Sequence, residues 1–166
     1  MKENAMYFGK NDIYQKIKDI GGEWNDLKER PLVCLIESTE CQGLYWATPV
    51  GNWNHRDDAA KQRINRYLSL PSSDLRSCFY HVGRTTSMSI FFISDVIPIT
   101  DKYIEREYKG FDNKLYVIKN NNLIQSVTSK LIRVLNFEST NNNYFRQHIT
   151  DVKNNLISEL NIEKLS

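Results

Sequence analysis

Apolar positions come in short blocks along the first two thirds of the chain and in long helical stripes along the last third. Residues 32–36 form an unbroken apolar run, and residues 44–50 a second that only Thr48 interrupts. Both read as strands, joined by the polar turn 37–43. That gap is too short for a helical crossover, so the two strands pair antiparallel. Residues 78–82 and 89–93 read as a further strand pair around a turn at 83–88. Pro98 then stops the run. Thr100-Asp101 reads as the cap of a short helix reaching Tyr108, and residues 115–119 as another strand. Two helices interrupt this pattern. One is capped by Asn11, runs to Ile20 and is stopped by Gly21-Gly22. The other covers residues 57–67, with Asp57 and Asp58 at its start and Arg63 and Arg66 near its end, which suits the helix dipole. Residues 71–74 are a loop.

The last third reads as helical. Leu123, Ile124, Val127, Leu131, Val134 and Leu135 share one face, and Phe145, Ile149, Val152, Leu156 and Leu160 another. Such stripes cover cores. The asparagine triplets at 120–122 and 141–143 read as turns that open these helices. The resulting expectation is one α+β domain over residues 1–166. It would hold a compact, strongly bent, mostly antiparallel sheet with inserted and C-terminal helices. Strands interrupted by helices also fit an α/β sheet, but the short gap between the first two strands favours the antiparallel form.

Charge changes this picture little. With 22 basic and 20 acidic side chains the formal net charge is +2, so a nucleic-acid site has to come from local clustering. Cys34, Cys41 and Cys78 form no metal-binding or disulfide framework and read as reduced thiols, Cys34 and Cys78 as apolar filler in strands. No apolar run reaches membrane-spanning length, and the polar start Met1-Lys2-Glu3-Asn4 is unlike a signal peptide, so a cytoplasmic protein is expected.

The candidate chemistry lies in two loops. Gly51-Asn52-Trp53-Asn54-His55-Arg56 is polar, basic and aromatic at once, a mixture suited to gripping a phosphodiester. His55 can move a proton near neutral pH, Arg56 can clamp phosphate oxygens, Gly51 allows close backbone approach, Asn52 donates and accepts, and Trp53 can stack on a base. The plain alternative is that Asn54 and His55 cap the next helix while Trp53 fills a groove. Downstream, His81-Val82-Gly83-Arg84-Thr85-Thr86 offers an imidazole, a guanidinium and hydroxyls to one anion, although a histidine in a strand is more often a hydrogen-bonded core residue. Arg30 at a strand mouth, Ser89, and Lys61 and Arg63 on the following helix extend the positive and polar surface. His148, beside Arg146 and Gln147, reads as exposed on the last helix. Phosphate-loop and nucleophile-elbow motifs are absent, and the scattered histidines and carboxylates point to no metal or other cofactor. Cleavage of RNA needs only a base, an acid and a charge clamp, because the 2′-hydroxyl is already in the substrate.

The order of Arg30-Pro31, the apolar strand, the run 43–50 and the run 93–104 resembles the ToxN/AbiQ/CptN toxins, the protein halves of type III toxin–antitoxin systems. The resemblance spans Arg30 to Leu135. More distantly, the basic-proline strand entry looks like the MazF/Kid/PemK fold. The resemblance implies a bent, barrel-like sheet and a metal-independent, sequence-selective endoribonuclease leaving 2′,3′-cyclic phosphate and 5′-hydroxyl ends. It also implies an antitoxin RNA of repeats, processed by the toxin and assembled with it. On this resemblance a strand-entry lysine of the family falls on Arg30, and its histidine-glycine turn resembles His81-Val82-Gly83. The family's loop carries threonine or serine and then lysine after the proline. Here Pro49 is followed by Val50, Gly51 and Asn52, with His55-Arg56 near the lysine position. Either Asn52, His55 and Arg56 do that work, or Thr85, Thr86 or Ser89 supplies the hydroxyl. Alternative readings are a non-catalytic RNA-binding or regulatory module, a MazF-like toxin with a protein antitoxin, and a phosphate-recognising enzyme with a small substrate.

Overall fold

Seven strands build an antiparallel sheet in the order β4-β5-β3-β2-β1-β7, with β6 on β3. A computed structural model describes residues 1–25 and 28–166. Strands are β1 (Ala5–Gly9), β2 (Leu32–Glu37), β3 (Tyr45–Asn52), β4 (Tyr80–Arg84), β5 (Met88–Phe92), β6 (Ile97–Ile99) and β7 (Ile104–Glu107). Helices are α1 (Asn11–Asp19), α2 (Asp58–Leu68), α3 (Asn121–Thr140) and α4 (Ile149–Leu165). The α+β class and the β2–β3 and β4–β5 hairpins stand as the patterning predicts. The barrel that the resemblance implied does not: β4 and β7 remain edges and the sheet stays open.

β3 is the branch point of the sheet. One edge of β3 pairs with β2, and the other is shared end to end by β6, opposite Tyr45–Ala47, and β5, opposite Val50–Asn52. Between β5 and β6 the chain makes a single 3₁₀ turn at Ile93–Asp95, so the two strands leave β3 at different registers. β2 carries a bulge between Cys34 and Ile36. Bulges of this kind increase local twist. Strand alternation then sorts the core. Val33, Leu35, Trp46, Val50 and Phe91 pack with Leu123, Val127, Leu131 and Val134 of α3. Leu32, Cys34 and Ala47 pack instead with Ile13 and Ile17 of α1 and Val152 and Leu156 of α4.

Several expectations change. The run Ala5–Gly9 was hidden behind a polar start, yet it is an inner strand between β2 and β7, buried along most of its length. Thr100-Asp101 opens only a one-turn helix, and Ile104–Glu107 is a strand rather than a helix. Its charged Glu105, Arg106 and Glu107 suit an edge, where they discourage pairing with other chains. Pro98 does not end the sheet but sits in β6 opposite Trp46. β6 bonds only to β3, so the missing N–H costs no ladder bond. Residues 115–119 make isolated bridges at Leu115 and Val117 rather than a regular strand. Cys78 lies in a 3₁₀ turn before β4. All three cysteines are free and buried, and burial pushes the Cys34 thiol up to about 12. Asn120 caps α3 as expected, accepting from Leu123 N at 3.2 Å. The second triplet lies in a connector instead, and α4 begins only after His148, which is half-buried with φ 52°.

A polar tie fastens α4 to the opposite face. Tyr103 donates to Glu159 at 2.8 Å, and Lys16 Nζ pairs with the same carboxylate at 2.7 Å. Burial pushes the Glu159 carboxyl up, but the bonds from Lys16 and Tyr103 outweigh it and hold the group below its usual range. A depressed folded value stabilises above the unfolded value and loses that contribution as pH falls through the folded one. Glu159→Gln should therefore lower the urea midpoint at pH 7 more than at pH 3. Equal losses at both pH values would exclude this ionic contribution.

Candidate phosphate-binding cleft

The register of β3 on β5 sets Gly51 opposite Ile90 and Asn52 opposite Ser89. The loop that follows β3 therefore runs beside the β4–β5 turn. Between them, closed by the strand entry at Arg30-Pro31, is a cleft of about 310 Å³. It brings together Arg30, Gly51, Asn52, His55, Arg56, Thr85, Thr86 and Ser89 of the sequence candidates. Ser87 and Tyr108 join them, and neither was singled out from the sequence.

Two guanidinium groups dominate. Arg30 Cζ lies 4.5 Å and Arg56 Cζ 5.4 Å from the centre of the same ring, Phe92. Both Nε atoms are buried without a hydrogen-bond partner. Among the described residues neither side chain makes an ion pair. Burial, and then the neighbouring Arg56, draw the Arg30 group below its ordinary value. The ring face offsets part of this cost, but two neighbouring cations with unused donors form a site that an anion completes. Gly51 makes the arrangement possible: a Cβ there would stand 2.5 Å from Arg56 Nη2 and 3.1 Å from the Phe92 ring.

Hydroxyls line the other wall. Ser89 Oγ donates to the Ser87 carbonyl at 3.0 Å and so accepts from Thr85 Oγ1 at 2.7 Å. This leaves Thr85 Oγ1 as an acceptor, suited to a ribose hydroxyl. Thr86 Oγ1 and the Tyr108 hydroxyl lie 3.0 Å apart, tying the turn to the segment after β7. On the loop side, Asn52 Oδ1 accepts from Asn54 N at 2.9 Å, and Asp57, not Asn54 or His55, caps α2 through Ala60 N at 2.8 Å. The capping role is thus filled, and His55 stands exposed at the cleft rim.

The remaining candidates lie elsewhere. Trp53 is half-buried under Lys61, whose Nζ is 5.5 Å from its ring centre. Arg63 lies on α2 near Tyr80 and does not line the cleft. Arg84 is exposed at the end of β4 and does not line the cleft. His81 faces a groove along α3 with Gln125, Ser129 and Lys130. Burial, and then Lys130, bring His81 down to about 4, so it is neutral at pH 7. Gly83 in this strand is a packing residue, since a Cβ would come within 2.5 Å of Leu123 Cδ1. Phe92, the platform for both arginines, carried no sequence signal beyond an apolar strand position.

Fold and cleft together define a small α+β protein whose open antiparallel sheet holds a cationic, hydroxyl-lined pocket at one end of its central strand. No family model matches the chain, and no curated protein matches it.

Proposed function

We propose that this cleft cleaves RNA, and that the chain is an endoribonuclease toxin neutralised by an RNA antitoxin. The observation that carries the reading is the Arg30–Arg56 pair on Phe92, with buried unpartnered Nε atoms beside a hydroxyl-lined wall. The guanidinium pair holds the scissile phosphate and takes up the charge that grows on it in the transition state. The ribose 2′-oxygen attacks phosphorus and loses its proton, the bond from phosphorus to the 5′-oxygen breaks, and that oxygen gains a proton. The products are a 2′,3′-cyclic phosphate and a 5′-hydroxyl. His55, which alone of the three histidines lines the described cleft, serves in proton transfer. Thr85 and Asn52 position the ribose. The resemblance to ToxN/AbiQ/CptN toxins adds the expected partners: a repeat-derived antitoxin RNA, processed by the same cleft, and a cellular substrate RNA. The groups named suffice without a cofactor. The described helices include none long and apolar enough to cross a membrane, and no membrane partner is proposed.

End-labelled RNA incubated with the protein in EDTA tests this reading. Fragments with cyclic phosphate ends, unchanged in His81→Gln and lost in His55→Ala, are expected. RNA that is retarded but intact would identify a binding module instead.

A further inference from the structure

A second and larger pocket, of about 510 Å³, adjoins the cleft and shares Lys28, Glu29 and Arg30 with it. This volume falls in the range of small-ligand sites, about 300–1,000 Å³. Its lining includes Trp24, half-buried and stacked on Tyr14 with ring centres 5.0 Å apart and 13° between planes. It also includes Asp95 and Arg146, whose Nη2 donates to Asp95 Oδ1 at 3.2 Å. The pair is held firmly. Gln147, itself 1% exposed, donates from Nε2 to the carbonyls of Ser94 and Val96, on either side of Asp95, at 2.8 Å each. The Asp95 side chain keeps 20% of its exposure and Arg146 keeps 48%, so both can still meet a ligand.

A flat indole, a fixed carboxylate and a guanidinium around one cavity specify a ligand. It should be planar, with donors for the carboxylate and an acceptor for the guanidinium. Among the four RNA bases, guanine alone carries two adjacent donors, N1–H and N2–H₂, beside the acceptor O6. Uracil places acceptors on both sides of its single ring donor, so a carboxylate repels it. Adenine offers a ring acceptor where the carboxylate needs a donor. We propose that this pocket binds a guanine base whose phosphate is held by Arg30, so that guanine marks the cleavage site. This rests on the reading of the cleft as an RNA site, while the base preference belongs to the second pocket alone. Burial raises the Asp95 carboxyl above its ordinary value against the pull of Arg146, which fits a carboxylate short of donors.

Calorimetric titration of the whole chain with GMP, AMP, CMP and UMP tests the pocket without any need for cleavage. GMP should bind at least about tenfold more tightly than AMP, the cost of one unmatched hydrogen-bonding edge. Asp95→Asn should bring the two within about threefold. Arg146→Gln, checked by a thermal melt because Arg146 also pairs with Asp95, should reduce the preference as well. Trp24→Leu should weaken all four nucleotides, and Trp24→Phe should restore them. Equal affinities for the four, no binding of any, or an unchanged preference in both Asp95→Asn and Arg146→Gln would overturn the proposal. A chain that prefers GMP yet leaves RNA intact keeps the pocket and loses the nuclease. A chain that cuts RNA but binds the four nucleotides alike does the reverse.

Discussion

Arg56→Ala is expected to slow RNA cleavage by about a hundredfold or more, the usual consequence of removing a preorganised donor to a developing anion. Arg56→Lys should recover little of this, because an ammonium cannot present two parallel donors to phosphate oxygens. The same substitution carries a second expectation of opposite sense. Arg56 presses a second cation against Arg30 on one ring, with Nε buried and unpartnered. Removing it relieves that repulsion, so the melting temperature should hold or rise. An arginine kept for structure would lower it. Parallel cleavage assays and thermal melts of the parent, Arg56→Ala and Arg56→Lys decide the matter. Full activity in Arg56→Ala would refute the phosphate clamp. Gly51→Ala should reproduce part of the loss, since the added methyl has to displace the Arg56 terminus.

Glu138→Ala should destabilise the chain by about 3 kcal/mol or more, since three donors lose a charged acceptor in a buried place. Glu138 is 3% exposed. Its carboxylate accepts from Asn143 N at 2.6 Å, from Tyr144 N at 3.2 Å and from the Thr150 hydroxyl. It thereby closes the connector between α3 and α4, which no regular element supports. For a chain of this size each kcal/mol moves the melting temperature by about 2–4 °C, so a fall of about 6 °C or more is expected in a thermal melt. Glu138→Gln, which keeps one accepting oxygen, should fall in between. A fall of under about 2 °C in Glu138→Ala would mean that water replaces the carboxylate in this connector. The effect reaches the site as well. The connector carries Arg146 and Gln147, and through them it holds the turn that bears Asp95.

The elements with a single strong period were legible in the sequence. The stripe from Leu123 to Leu135 became α3, and the two apolar runs joined by a polar turn became β2 and β3, because a buried face leaves a repeat that tertiary context does not alter. β7 was not legible. The helix start that Thr100-Asp101 suggests yields a single turn without a side-chain cap, and the rest is decided by the free edge of β1. β1 itself is short and apolar on both faces, a pattern without a period.

The site divides in the same way. Most of the polar and basic residues that line the cleft were readable from the loop 51–56 and from Thr85 and Thr86. Which of them meet was not. His81 and Gly83 share the face of β4 turned toward α3, while Thr85 lies past the end of the strand, where the turn reaches the cleft. The Arg30–Phe92–Arg56 stack joins three segments far apart in the chain: the two arginines were legible as cations, but nothing local marked Phe92 as their shared platform. Local composition determined the kinds of group this protein deploys and the helices and hairpins that carry them. Long-range register, above all that of β3 on β5, decided which groups share a pocket, because a strand's two faces are assigned only by its partners.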